Sequence, residues 1–124
     1  MPAGSPSLGL GRERRVKQSR DFARTRAGGL RQVCGCLIAN WIKLPAASVS
    51  RVGVVTSRKI GGAVIRNRAR RLLREAFRLH QYEFREPVDL VLIARASIVG
   101  KKLASVEADF RSALRRADLL KPTE

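Results

Sequence analysis

Residues 62–80, GAVIRNRARRLLREAFRLH, read as one helix with two faces that need different surroundings. At about 100° per residue, with Arg66 at zero, the residues Arg66, Asn67, Arg70, Arg71, Arg74 and Arg78 fall within about 0–140°. Ile65, Ala69, Leu72, Leu73, Ala76 and Leu79 fall within about 220–340° on the same wheel, with Arg68 at one boundary and Phe77 at the other edge. The apolar stripe requires a sheet or a second helix to cover it. The opposite stripe repels itself: Arg66/Arg70, Arg70/Arg74 and Arg74/Arg78 are like charges at i,i+4, each unfavourable by a few tenths of a kcal/mol. Phosphates would reverse that sign. A merely solvated face usually interleaves acids with bases, and Glu75 is the only acid in this stretch. The face therefore predicts nucleic-acid contact. A membrane surface is the weaker reading, because it would take the apolar stripe away from the strands that need it.

The charge of the whole chain has the same address. The 124 residues carry 26 Lys+Arg and 10 Asp+Glu, a formal net charge of +16. Residues 1–31 hold +6 and residues 58–78 hold +7, so 13 of the 16 charges lie in two blocks. Such concentration argues for a patch that meets a polyanion. Arg outnumbers Lys 20 to 6, which suits bidentate phosphate contact. A hydrophobic fraction of 44% excludes a disordered basic tail, and no apolar run approaches a membrane span.

The length suits one domain. Residues 1–13 are rich in Gly, Pro and Ser and read as a disordered basic arm, leaving 14–121 as a single nucleic-acid-binding domain. Ser19 and Asp21 can cap a short helix that stops at Gly28-Gly29. Residues 32–44 predict a long strand, with room for an extra one inside it, and 51–57 a β-branched strand. Residues 58–61 form a tight connection into the basic helix. Residues 88–94 are almost continuously apolar, as in a strand covered on both faces. Ser105 is the expected cap of a last helix, with Glu107 and Asp109 near its positive end and Pro122 closing it. The order α-β-β-(β)-α-β-α predicts an α/β (α+β sandwich) fold, a mostly antiparallel sheet with helices packed on it.

Catalytic chemistry is not legible in the side chains. The ten acids are scattered, with no metal-carboxylate cluster or acid–base pair. His80 reads as a lone cation at a helix C-terminus, where the dipole favours it. Ile60-Gly61-Gly62 permits a sharp turn into a helix N-terminus that attracts phosphate, yet the spacing of a nucleotide-binding P-loop is absent. Cys34 and Cys36 alternate within an apolar run, which predicts two buried, reduced thiols on one strand face and no metal site. The first ten residues do not form a secretory signal, so the cytoplasm is the expected compartment. Asn67 can order neighbouring guanidiniums or read a base or ribose.

The segment SRKIGGAVIRNRARRLLREAFR (57–78) resembles the signature of the bacterial ribonuclease P protein component. That pattern is a Lys-Ile/Val-Gly turn, then Ala-Val-x-Arg-Asn-Arg, then Arg/Lys-Arg-Leu-Leu/Ile-Arg-x-x-Phe. RVGVVTS (51–57), SRDF (19–22) and DLVLIARAS (89–97) extend the resemblance from about Arg14 to about Leu120. It implies a protein that binds a catalytic RNA, which removes the 5′ leader of precursor tRNA by hydrolysing one phosphodiester. Mg²⁺ would be held mainly by that RNA and the substrate, and no obligate protein partner or membrane is implied. Composition alone would equally suit an RNA-binding protein of the ribosomal type.

Carried over position by position, Arg66, Asn67, Arg68, Arg70, Arg71 and Arg74 match the RNA-binding helix, and Arg58 and Lys59 the basic turn before it. Phe22 matches an aromatic facing the cleft for the single-stranded leader, with core packing of a short helix as the equal alternative for its ring. Lys17, Arg24, Arg26 and Trp41 are further cleft candidates, Asn40 and Trp41 standing nearest to where relatives often carry a Tyr or Phe on the first strand. Arg26 stands where relatives often carry a second aromatic. The resemblance also implies a left-handed β-α-β crossover, whereas the general rule favours the right-handed one in about 98% of cases.

Overall fold

In a computed structural model of the chain, residues 29–121 are described. They form β1 (Leu30–Cys34), β2 (Leu37–Lys43), β3 (Arg51–Val55), α1 (Ala63–His80), β4 (Val88–Ala94) and α2 (Leu103–Arg116), with short 3-10 turns at Arg58–Ile60 and Ala96–Ile98. The expected helix near Ser19 and the arm 1–13 lie outside the described residues.

The sheet order is β1-β2-β4-β3. β2 pairs antiparallel with both β1 and β4, while β3 and β4 run parallel, joined through α1. The parallel pair is the β-α-β crossover. The mostly antiparallel α/β fold expected from sequence is the observed one. β4 takes the central place that its apolar run required: Val88, Leu90, Val91 and Leu92 are all buried, from both faces of the strand.

Alternation along the strands assigns the two faces. Leu37, Ala39 and Trp41 of β2, Leu90 and Leu92 of β4 and Val52 of β3 enter one core with Leu73, Phe77, Val106, Phe110 and Leu114 of the helices. Both helices cover this face. The other face carries Asn40, Asp89, Val91 and Arg51.

Of the two readings of residues 32–44, the one with an extra strand is observed: Gly35 adopts φ +56 and turns the chain within two residues, making a hairpin of β1 and β2. Three other expectations are corrected. Cys34 therefore ends β1 while Cys36 lies in the turn, so the two thiols do not share a strand, although both are buried and unbridged. The N-cap of α2 lies three residues before the expected Ser105, at extended Lys102, with no side-chain cap bond. Its C-terminus is a Schellman-type close, with Leu119 N–H to Leu114 O at 2.9 Å and Asp118 N–H to Arg115 O at 3.0 Å around Asp118 at φ +58, ahead of Pro122. Finally, His80 is not alone. Its Nδ1 meets Glu83, and its Nε2 lies 2.7 Å from Glu107 Oε1, joining the end of α1 to α2.

Asp109 explains why the hairpin turn holds its place. Its Oδ2 accepts the Cys36 backbone N–H at 3.0 Å. The turn is also held from the end of β4, where Arg95 Nη1 donates to Gly35 O at 3.0 Å and Arg95 N–H to Cys36 O at 2.9 Å. Burial, reinforced by a hydrogen bond to Asp109, pushes the Cys36 thiol up to about 12.

Candidate nucleic-acid interface

The approach to α1 fixes which basic groups face outward. Ile60 is buried and anchors the 3-10 turn, leaving Arg58 and Lys59 exposed. Gly61, at φ +148, then turns the chain into Gly62, the extended N-cap. A Cβ at Gly61 would come within 2.8 Å of Ile65 Cδ1, so a side chain is excluded there by space as well as by φ. The first turn of α1 has no acidic residue and no side-chain cap bond. Its leading N–H groups add partial positive charge beside Arg58 and Lys59.

Along α1 the buried positions are Ala69, Leu73, Ala76, Phe77 and His80. Relative to the sequence wheel, this arc is rotated toward Arg66 and Arg70. Phe77, expected at an edge, is central to the core, and Ile65, expected inside, is substantially exposed. The rotation divides the basic row. Asn67, Arg68, Arg71 and Arg74 are exposed, while Arg66 and Arg70 are half-buried. Arg70 has internal bonds: Nη1 donates to Thr56 Oγ1 at 2.7 Å and Nη2 donates to Asn67 Oδ1. Asn67 thus orders a guanidinium, one of its two expected roles, and its amide N–H₂ remains the group to offer a partner. Arg68 reaches sideways, Nη1 donating to Lys101 O at 3.0 Å.

The carboxylates sharpen this picture. All seven in the described residues are already engaged. Arg51 holds Asp89, Lys43 holds Glu86, Arg85 holds Asp118 and Arg78 holds Glu75. Glu83 and Glu107 flank His80, and Asp109 takes the Cys36 N–H. The Glu75 carboxylate holds the Arg78 guanidinium above its ordinary value. Arg58, Lys59, Arg68 and Arg71 face no carboxylate among the described residues. The same engagement answers the question of a resident Mg²⁺, which takes carboxylate and water oxygens in an octahedron. The described residues do not fit one.

A family model described as Ribonuclease P matches residues 10–118. This chain belongs to the ribonuclease P protein family. Among curated ribonuclease P protein components, that of Gluconacetobacter diazotrophicus is 36% identical over 109 residues, covering 86% of this chain and 92% of the relative. That of Pelotomaculum thermopropionicum is 48% identical over 69 residues, covering 56% and 62%. The ribonuclease P protein of Staphylococcus aureus superposes with a TM-score of 0.78 at 24% identity, over 87% of this chain and 98% of that one, a likeness of fold. The Thermotoga maritima ribonuclease P protein, solved with 1-(4-fluorophenyl)-2-thiourea, gives 0.73 at 26% identity over 82% and 98%. As a ribonuclease P protein component, the chain has a role in tRNA 5′-end processing within a ribonucleoprotein.

Within that family frame, the six helix positions and the two turn positions singled out from sequence lie on one continuous stretch, Arg58 to Arg74. The leader-cleft candidates do not come together in the same way. Lys17, Phe22, Arg24 and Arg26 lie outside the described residues. Trp41 is corrected: it is 4% exposed on the helix-covered face, packed in the core, so its ring is not offered to the other face. Its neighbour Asn40 occupies that other face, opposite Arg31 and Val91. Sequence reasoning missed the Arg70–Thr56 link, since nothing local ties the end of β3 to the second turn of α1. No helix among the described residues is long and apolar enough to cross a membrane.

Proposed function

We propose that α1 and the Arg58–Lys59 turn bind the catalytic RNA of ribonuclease P through its phosphates, with Asn67 donating to a phosphate, base or ribose. The observation that carries this reading is the outward row Asn67, Arg68, Arg71 and Arg74, in a stretch, residues 58–74, that holds seven Lys/Arg and no acid. The sheet face bearing Asn40, together with Lys17, Phe22, Arg24 and Arg26, receives the single-stranded 5′ leader of precursor tRNA. The RNA breaks the phosphodiester bond, with Mg²⁺ held by RNA and substrate. The protein supplies affinity, orientation and local positive potential, which lowers the Mg²⁺ concentration that substrate binding requires. It acts in the cytoplasm without an obligate protein partner.

Reconstitution tests this directly. The protein is mixed with ribonuclease P RNA and precursor tRNA at low Mg²⁺, and the 5′-matured product is measured. Stimulation over RNA alone is expected. Its absence would overturn the proposed contribution to substrate and Mg²⁺ binding. Shortening the leader should weaken holoenzyme affinity for the precursor, and equal affinity for leaderless tRNA would remove the cleft from the reading.

A further inference from the structure

The most exposed large hydrophobic residue among those described is Val64, at 81%, on the first turn of α1. It is not on the packing side of the helix. Asn67, Arg68 and Arg71 follow it at i+3, i+4 and i+7, so it shares their outward face. The next residue, Ile65, is 39% exposed, and Val99 in the segment after β4 is 48% exposed. Ile65 and Val99 line a cleft of about 50 Å³ with Arg68, Ala69, Ile98 and Gly100, between α1 and the segment after β4. Arg68 spans this cleft through its bond to Lys101 O. Gly100 leaves its mouth open, since a Cβ there would meet nothing within 4 Å.

Exposed valines scattered singly mean little. Here Ile65 and Val99 meet at one cleft, and Val64 adds an exposed aliphatic group on the outward side of the same first turn, within the basic row. Residues 58–74 hold seven Lys/Arg and no acid, and residues 95–106 hold Arg95, Lys101 and Lys102 and no acid. A second copy of this +16 chain would bring like charge against like. The occupant that fits has negative charge at its edges and an apolar face between them. An unpaired nucleotide has that form, with phosphates for Arg68, Lys101 and Lys102 and a base or ribose face for the aliphatic groups. Paired A-form RNA hides its base faces and presents mostly phosphate and 2′-hydroxyl.

We propose that Val64, Ile65 and Val99, bridged by Arg68, form an aliphatic shelf that seats one unpaired nucleotide of the ribonuclease P complex. This rests on the proposed RNA-binding role of α1 and specifies a second kind of contact within it. The nucleotide belongs either to the catalytic RNA or to the precursor, and the two sources are separable by experiment.

The test measures binding to ribonuclease P RNA, with and without precursor tRNA, across a salt series. Val64→Ser and Val99→Ser should each weaken binding by about fivefold while leaving the log–log salt slope unchanged. Loss in the absence of precursor assigns the nucleotide to the catalytic RNA, and loss only in its presence assigns it to the precursor. Arg71→Gln and Arg74→Gln report the underlying reading separately, through a flatter slope. Wild-type affinity in both serine variants, beside flattened slopes in the arginine variants, overturns the shelf and leaves the interface standing. Unchanged slopes in the arginine variants overturn the interface itself. Photo-crosslinking from benzoylphenylalanine placed at 64 or 99 supplies the second measurement. Crosslinks to an unpaired nucleotide are expected, and crosslinks confined to duplex segments refute the proposal.

Discussion

Arg51 holds Asp89 with two arms of its guanidinium, Nε donating to Oδ1 at 2.7 Å and Nη2 to Oδ2 at 2.6 Å, across register-paired positions of β3 and β4. Asp89 is 0% exposed. Arg51→Met leaves that carboxylate without this partner in the sheet. Loss of one member of a buried pair is strongly destabilising, and Arg51 keeps some solvent access, so a cost of about 2–3 kcal/mol is expected. Urea denaturation measures it. The salt dependence of RNA binding should stay as in wild type, because α1 is untouched. A parallel loss of slope would mean that the pair also serves the interface.

On α1, Arg71→Gln and Arg74→Gln should each lower the slope of log Kobs against log salt by about 0.7–0.9, the change for one lost phosphate contact. Arg70→Ala should behave differently. Its guanidinium is half-buried and holds Thr56 and Asn67, so its loss releases the Asn67 amide and the end of β3. Affinity should fall by more than the slope change accounts for. Identical behaviour of the three variants would make Arg70 an ordinary phosphate contact.

How far the sequence reached depends on how local each cause was. The run 88–94 became β4 without adjustment, because an apolar strand buried on both faces needs no information from elsewhere. The basic helix was legible for the same reason, but its buried arc was not placed correctly. The wheel knows the helical period and not the tilt against β3, β4 and α2, so Phe77 was put at an edge. The Gly35 turn was hidden because apolar residues continue on both sides of it. Glu107 lies 27 residues from His80, and that partnership arises only when α2 folds back on α1. At the interface the residue types were readable, whereas the division between outward arginines and those tied to the sheet required the packing.

Gly35→Ala should be costly for a reason visible in space. A Cβ there would fall 2.2 Å from Asp109 Oδ2, and the backbone at φ +56 already disfavours alanine. The carboxylate must move and release the Cys36 N–H. The strain of about 1–2 kcal/mol and the weakened charge-assisted bond together predict a loss of roughly 3 kcal/mol. Denaturant midpoints check this, and a change below about 0.5 kcal/mol would show that the turn relaxes freely.

Cys36 gives a prediction in pH. Its folded thiol is held up at about 12 against an ordinary 9.0, so folding favours the protonated form. The associated stability is complete below pH 9 and is lost as pH rises from there toward 12. The urea midpoint should fall between pH 8 and pH 10.5 by more in wild type than in Cys36→Ala. At pH 8, iodoacetamide should alkylate Cys36 slowly in the native protein and readily in urea. Rapid native alkylation would contradict the buried, protonated thiol.

The engagement of every described carboxylate has a kinetic side. An arginine already locked to a neighbouring acid must break that link before it can grip a phosphate, and the breaking becomes part of the encounter barrier. Among the described residues Arg58, Lys59 and Arg71 meet no such latch, so an incoming RNA meets cations that are ready to bond. Association should then be limited by diffusion and steering rather than by side-chain exchange, slowing steeply as salt is added. Selectivity among RNAs must come from how long each stays.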